Sequence, residues 1–247
     1  MLLHGLGIDL QEHLILLSVE KELLLNDKRA EIQEIIPYAN EMLIIYTVKD
    51  KRTTNLYARK VNDVLKDLSG DILLDSTEKA FGAYSPKYEV KYAQKRNFIS
   101  IIRYDYDFNG ISNINVLLLN KEGQALGQKD IAFDEKWIVK EVFVNNKGLV
   151  FVASAKIKRN LLNVSPQYEV VRLQEYNYEN DIVSEYLIEK GEYSLNDIKI
   201  VSDDKNNKIA IAGFYSDKQS NAISGYFGIF FDLKSHKIQQ QFYEQFR

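Results

Sequence analysis

Four short apolar stretches recur along the 247 residues at nearly even intervals: MLIIYTV from Met42, FISIIRY from Phe98, LVFVASA from Leu149 and IAIAGFY from Ile209, spaced 56, 51 and 60 residues apart. A repeat of this length constrains the fold more than local propensity does. Each unit carries an apolar face that it can cover only against its neighbours. The segments before the four stretches are alike in chemistry: ANE, QKRN, NNKG and DDKNNK. Asn, Asp and Gly accept positive φ, so these clusters predict tight turns.

The units continue alike on both sides. A strand precedes each turn: EIIPY, YEVKYA, VKEVFV and DIKIV. A polar hairpin and a third strand follow: TNLYARKV, INVLLLN, YEVVRLQEY and YFGIFFDL. A fourth, more polar strand closes each unit: ILLD, QALGQKDIAF, IVSEYLI and KIQQQFYEQF. Four strands in up-and-down order, at about 50 residues per unit, is the period of a β-propeller blade. A polar fourth strand suits an outer edge, where charge discourages edge-to-edge pairing. The chain is expected to be all-β and propeller-like, a single domain of four complete blades (30–78, 86–134, 138–190 and 194–247) and one incomplete N-terminal blade (1–29).

The N-terminal segment admits two readings. LLHGLGID, HLILLSV and ELLLND match second, third and fourth strands of a blade that lacks its first. The same residues are rich in Leu, Glu and Lys, and Asp9 with Glu12 and Pro37 could bound a helix over 10–36. Repeat context favours strands. With no spare strand to complete the first blade, the expectation is a piece of a longer ring.

These units resemble the broad, degenerate propeller repeats of uncharacterised bacterial proteins, over essentially the whole chain. The Gly-His and Trp-Asp signature of WD repeats and the double glycine of kelch repeats are absent, so the resemblance implies an architecture and no narrower family. Propellers serve as scaffolds, receptors and hydrolases, and fold alone does not select among these.

Composition removes several classes. There is no cysteine, hence no disulfide framework, thiolate zinc site or cysteine nucleophile. The net charge of −3 gives no basic footprint for nucleic acid. No apolar run reaches the roughly 18–20 residues of a membrane-spanning helix, so membrane insertion is not expected. The first residues lack a basic n-region and are interrupted by Asp9, Glu12 and His13, so they do not read as a signal peptide. Localisation is left open. Large Tyr- and Asn-rich bacterial propellers are often exported, which suggests the cell envelope for a longer parent.

Few motifs carry chemistry. In YDYDFNG, Asp105, Asp107 and Asn109 alternate before Gly110, as in the first half of a calcium loop. The position of the bidentate Glu is Val116, and the equivalent hairpins of other units are not acidic. A β-hairpin turn explains the same residues without metal. Calcium is the only cofactor suggested, and weakly. His4, His13 and His236 share no metal-binding spacing. Two hairpins between second and third strands are basic, with Lys49, Lys51 and Arg52 in one and Lys156, Lys158 and Arg159 in the other. Such hairpins lie on one face of a propeller and could steer a charged partner. The expected function is a binding or scaffolding module that recognises a protein or an extended polymer such as a polysaccharide through that face. The alternative is a glycan- or peptide-active enzyme with two carboxylates at the central channel, roughly 5–10 Å apart.

Overall fold

The computed structural model describes residues 2–5, 19–22, 24–25, 28–78, 86–107, 110–133, 137–158, 167–189, 193–203, 205–217 and 222–246. Every regular element among them is a β-strand. Three short strands come first: β1 (Leu2–Gly5), β2 (Val19–Glu22) and β3 (Leu24–Leu25). Four meanders follow. The first is β4 (Lys28–Pro37), β5 (Glu41–Asp50), β6 (Thr53–Asn62) and β7 (Ile72–Glu78). The second is β8 (Lys87–Tyr92), β9 (Phe98–Asp107), β10 (Gly110–Asn120) and β11 (Ala125–Ala132). The third is β12 (Trp137–Val144), β13 (Val150–Lys158), β14 (Gln167–Asn177) and β15 (Ile182–Glu189). The fourth is β16 (Ser194–Asp203), β17 (Lys208–Ser216), β18 (Gly225–Asp232) and β19 (Lys237–Gln245).

Within each meander every strand pairs antiparallel with the next, and one bridge, Tyr168 to Leu195, joins the third sheet to the fourth. At the N-terminus β1 pairs with β2, and β3 pairs with the start of β4. The described part of that segment is strand, not helix. The third strand expected at 13–19 lies almost wholly outside the described residues.

The sheets stack face to face in chain order, because their second strands alternate between two cores. In β5, Leu43 and Ile45 face the second sheet, whereas Ile44, Tyr46 and Val48 face the opposite way. In β9, Ile99 and Ile101 pack back on the first sheet, and Ile102 and Tyr104 pack forward on the third. In β13, Val150 and Val152 face back, and Phe151, Ala153 and Ala155 face forward. A strand buried on both faces must be apolar at nearly every position, as the first three stretches are; the fourth, in β17, buries one face and exposes Ala212 and Phe214 on the other. Each fully buried Leu, Ile or Phe contributes about 1.5–3 kcal/mol.

The first strands of successive sheets, β4 with β8, β8 with β12 and β12 with β16, approach one another at the hub. The fourth strands lie outermost, and β19 is exposed along most of its length. This is a propeller-like, all-β protein of four complete four-stranded blades with a partial N-terminal one. Three hub strands carry register shifts, between Ile32 and Glu34, Val139 and Glu141, and Asn196 and Lys199. Bulges of this kind re-aim side chains and sharpen twist where strands crowd an axis.

Candidate functional site

The turns that join first to second strands form a stitched rim at one end of the hub. The Lys95 backbone N–H donates to Asn146 Oδ1 at 2.9 Å, and Asn97 Nδ2 donates to the Asn146 carbonyl at 2.9 Å. Arg96 Nη1 donates to the Pro37 carbonyl at 2.7 Å, and the Tyr38 hydroxyl donates to the Arg96 carbonyl at 3.3 Å. The turn chemistry explains why these loops hold a fixed shape. Asn145 Oδ1 accepts from the backbone N–H groups of Lys147 at 2.9 Å and Leu149 at 3.0 Å. Arg96, Gly148 and Asn207 each lie in one of these turns with positive φ, of 55°, 78° and 52°. Glycine and asparagine adopt that conformation readily, and arginine does so at some cost.

Between these turns lies a cleft of about 590 Å3. Its walls are Lys91, Tyr92 and Gln94 at the end of β8, Glu141 and Phe143 of β12, and Ser202, Asp203, Lys205 and Asn206 at the end of β16. A second cleft of about 760 Å3 shares Gln94 and Lys205 with it and continues past Lys95, Asn145, Asn146, Lys147 and Asn207. The lining is amide-rich and carries both signs of charge. Tyr92 is 42% exposed, and the Arg96 guanidinium lies over its ring, 5.5 Å from the centroid.

Lys91 organises the charge here. Its Nζ lies 2.8 Å from Glu89 of its own strand and 2.9 Å from Glu141 of the next sheet. Burial by itself would lower the ammonium's pKa, but hydrogen bonds to Glu89 and Glu141 outweigh it and hold the value above the ordinary 10.5. Burial likewise acts to raise the Glu89 carboxyl, yet Lys91 and the Tyr104 hydroxyl, at 2.6 Å, hold it below its ordinary 4.5. One strand further on, Lys140 sits at the bulge of β12 and its Nζ donates to the Tyr168 hydroxyl at 2.5 Å.

The residues singled out in the sequence fall elsewhere. Lys49 ends up in β5, paired with Glu31 at 3.0 Å, and Lys51 and Arg52 form the exposed turn that follows. Lys156 lies within β13, half-buried, because that strand runs on to Lys158. The Lys158 side chain and all of Arg159 lie outside the described residues. Asp105 is in β9, and its carboxylate accepts from Arg103 Nε at 3.0 Å and Asn113 Nδ2 at 3.2 Å. The Asp107 side chain and Asn109 lie outside the described residues. Strand pairing continues to Asp107 opposite Gly110, so a β-hairpin flanks this stretch and not the helix pair of an EF-hand loop. Among the described residues no group of three or more acidic or histidine side chains is placed to hold a metal.

Both clefts open at the ends of strands opposite the basic hairpins. Nothing in the sequence marks Lys91, Glu141 and Asn206 as neighbours, since they belong to three different repeats. The one legible signal is the shared Asn- and Lys-rich chemistry of the turns themselves.

No protein-family model matches the chain, and no curated protein matches it. Solved structures overlap it loosely. A variant of the Synechocystis apocarotenoid oxygenase aligns at 10% identity and a TM-score of 0.44, covering 90% of this chain and 51% of that one. The Pyrococcus horikoshii acylaminoacyl peptidase aligns at 10% identity and a TM-score of 0.47, covering 87% of this chain and 32% of that one. The Phanerochaete chrysosporium exo-β-1,3-galactanase aligns at 11% identity and a TM-score of 0.36, covering 85% of this chain and 48% of that one. The chain thus spans about half of the oxygenase and galactanase chains and about a third of the peptidase.

Proposed function

We propose that this chain is a binding or scaffolding module that holds a segment of an extended polar polymer, a glycan or a peptide strand, in the double cleft between the hub turns. The supporting observation is the cleft's lining. Gln94, Asn146 and Asn206 place side-chain amides along the cleft, and such groups suit hydroxyls or peptide groups. The exposed Tyr92 ring offers a flat apolar face beside them. Two clefts in series suit a chain-like ligand better than a compact one.

The enzyme alternative asks for two carboxylates at the channel; of the neighbouring Glu89 and Glu141, Glu141 alone is among the cleft's walls. Both contact the same ammonium, so their bound oxygens are no farther apart than the two contacts together. Retaining glycoside hydrolysis uses a spacing of about 5–5.5 Å. Such chemistry also needs one carboxyl held protonated near neutrality. Lys91 does the opposite to Glu89 and its ammonium contacts both carboxylates at once, which favours binding over hydrolysis.

The test is a screen of immobilised neutral glycans, anionic glycans and peptides, followed by titration calorimetry on hits. Tyr92→Ala and Asn206→Ala should each weaken binding at least about tenfold, while Lys49→Ala with Arg52→Ala leaves it unchanged. Binding lost on neutralising Lys49, Arg52 and Lys156 but not in the cleft variants would move the site to the hairpin face. Product release from a bound glycan or peptide would establish the enzyme reading instead.

A further inference from the structure

Three consecutive blades place a lysine in the same turn. Lys95 follows β8, Lys147 follows β12 and Lys205 follows β16, within QKRN, NNKG and DDKNNK. The corresponding turn of the first blade, ANE, carries none. All three lysines are exposed, and each comes one or two residues before a position of positive φ, Arg96, Gly148 or Asn207. The repeat fixes where each lysine stands in its turn. The convergence of the hub strands then brings the three turns to one place.

That place is the second cleft, of about 760 Å3. The three lysines line it, and the rest of its described lining is asparagine and glutamine. Among the described residues no carboxylate lines it. Elsewhere lysines are neutralised: Lys49 by Glu31, Lys60 by Glu41, Lys91 by Glu89 and Glu141, and Lys129 by Asp181. Among the described residues no such pair falls on Lys95, Lys147 or Lys205. Asp203 feels the Lys205 charge, yet it lines the first cleft and not the second, and Asn206 Nδ2 donates to it at 2.7 Å. A concave site lined by one sign of charge concentrates ions of the other.

The first cleft differs in charge. Glu141 and Asp203 stand in it with Tyr92. A ligand charged on every unit, such as an oligonucleotide or polyglutamate, would set anions against those two carboxylates. Sugar hydroxyls instead donate to carboxylates, and a sugar ring has an apolar face to lay on Tyr92. The clefts share Gln94 and Lys205, so neighbouring units of one chain reach from one into the other. A chain in which charged and uncharged units alternate satisfies both.

We propose that the second cleft is an acid subsite, and that the ligand is a glycan of alternating acidic and uncharged sugars, its carboxylate or sulfate held by Lys95, Lys147 and Lys205 and the next sugar laid on Tyr92. This rests on the cleft reading above and adds the class of its ligand.

The test is titration calorimetry of the full chain with hexasaccharides of hyaluronan and chondroitin sulfate, with chitohexaose as the uncharged control, and with hexaglutamate and hexathymidylate. The two acidic glycans should bind, and their affinity should fall about tenfold between about 50 and 200 mM salt. Lys95→Gln, Lys147→Gln and Lys205→Gln should each weaken binding about threefold and the triple variant about thirtyfold, with the salt dependence flattened. The positions are exposed, and unchanged circular dichroism and melting temperature would show that the variants fold. Equal affinity for the two acidic glycans assigns the carboxylate as the anchor, and preference for chondroitin sulfate assigns the sulfate. Tighter binding of hexaglutamate or hexathymidylate, no binding of either acidic glycan at about 1 mM, or acidic-glycan binding unmoved by the triple variant would overturn the proposal. Chitohexaose bound through Tyr92 and unmoved by the triple variant would overturn the acid subsite alone and leave the cleft reading standing. Acidic-glycan binding lost in the triple variant but unmoved by Tyr92→Ala would keep the acid subsite and overturn the placement on Tyr92, and with it the double-cleft reading.

Discussion

Lys91 of β8 reaches Glu141 of β12 at 2.9 Å, so two blades are tied together by an ion pair at the wall of the hub cleft. The same ammonium holds Glu89 at 2.8 Å. Replacing Lys91 by Met leaves two carboxylates near each other without the ammonium that bridges them. These side chains are about one-third exposed, so solvent screening limits the loss to about 0.5–1 kcal/mol. Urea denaturation of Lys91→Met at neutral pH measures it.

The pH dependence of stability follows from two of these groups, Glu89 and Lys91. Glu89 sits below its ordinary 4.5 in the folded protein, so its pairing stabilises fully above that value and is lost as pH falls through the lower folded value. Lys91 sits above its ordinary 10.5, so its contribution is complete below 10.5 and is lost as pH rises through the higher folded value. Denaturation midpoints recorded from pH 2 to 12 should fall at both ends, and in Lys91→Met both of these losses should shrink.

A stronger link lies on the outer side of the first two blades. Arg103 of β9 donates to Asp75 of β7 at 2.7 Å and to Asp105 at 3.0 Å, and the Tyr88 hydroxyl donates to Asp75 at 2.9 Å. Arg103 is 15% exposed and Asp75 11%. Removing the arginine strands a nearly buried carboxylate, so Arg103→Ala should cost about 3 kcal/mol. Replacing both partners by Leu should cost less than Arg103→Ala alone, which a double-mutant comparison by denaturation would show.

Asp105 is occupied by this network, which bears on calcium. Its oxygens are taken by Arg103 and Asn113, leaving little for a cation to claim. Millimolar calcium should move the melting temperature by under about 1 °C. A rise of several degrees that disappears in Asp107→Asn would instead establish a metal site at this hairpin.

Gly148 holds the rim of the second cleft. Its φ is +78°, and a Cβ there would meet the rings of Phe98 and Tyr178 at 2.9 Å. Gly148→Ala combines backbone strain with overpacking and should cost about 2–3 kcal/mol. Thermal denaturation of the variant checks it.

The elements were legible because each has a local cause. Met42, Phe98 and Ile209 lie in β5, β9 and β17, and Leu149 immediately precedes β13. Burial on both faces makes β5, β9 and β13 largely apolar, β17 follows the same pattern with one face exposed, and Asn, Asp and Gly turns punctuate them. The N-terminal segment was ambiguous because Leu, Glu and Lys serve helix and strand patterns alike. Pairing decided the described part: Leu2–Gly5 against Val19–Glu22.

The candidate site was not legible. Charge is visible in a sequence, so Lys49, Lys51 and Arg52 drew attention, whereas concavity is not. The clefts exist because bulged hub strands converge and bring turns about 50 residues apart into one rim. That convergence depends on the angle between sheets, which no single repeat encodes. The open face of the fourth sheet is hidden for the same reason: Ala212 and Phe214 follow the alternation of every other blade, and only the stacking of whole sheets shows that they stay exposed where their counterparts are buried. The sequence by itself determined the strands, their order and the chemistry of their turns, because those follow from residues close in the chain. The tertiary structure alone decided which turns meet, which charges pair across blades and which apolar face is left over, because those depend on how the sheets pack.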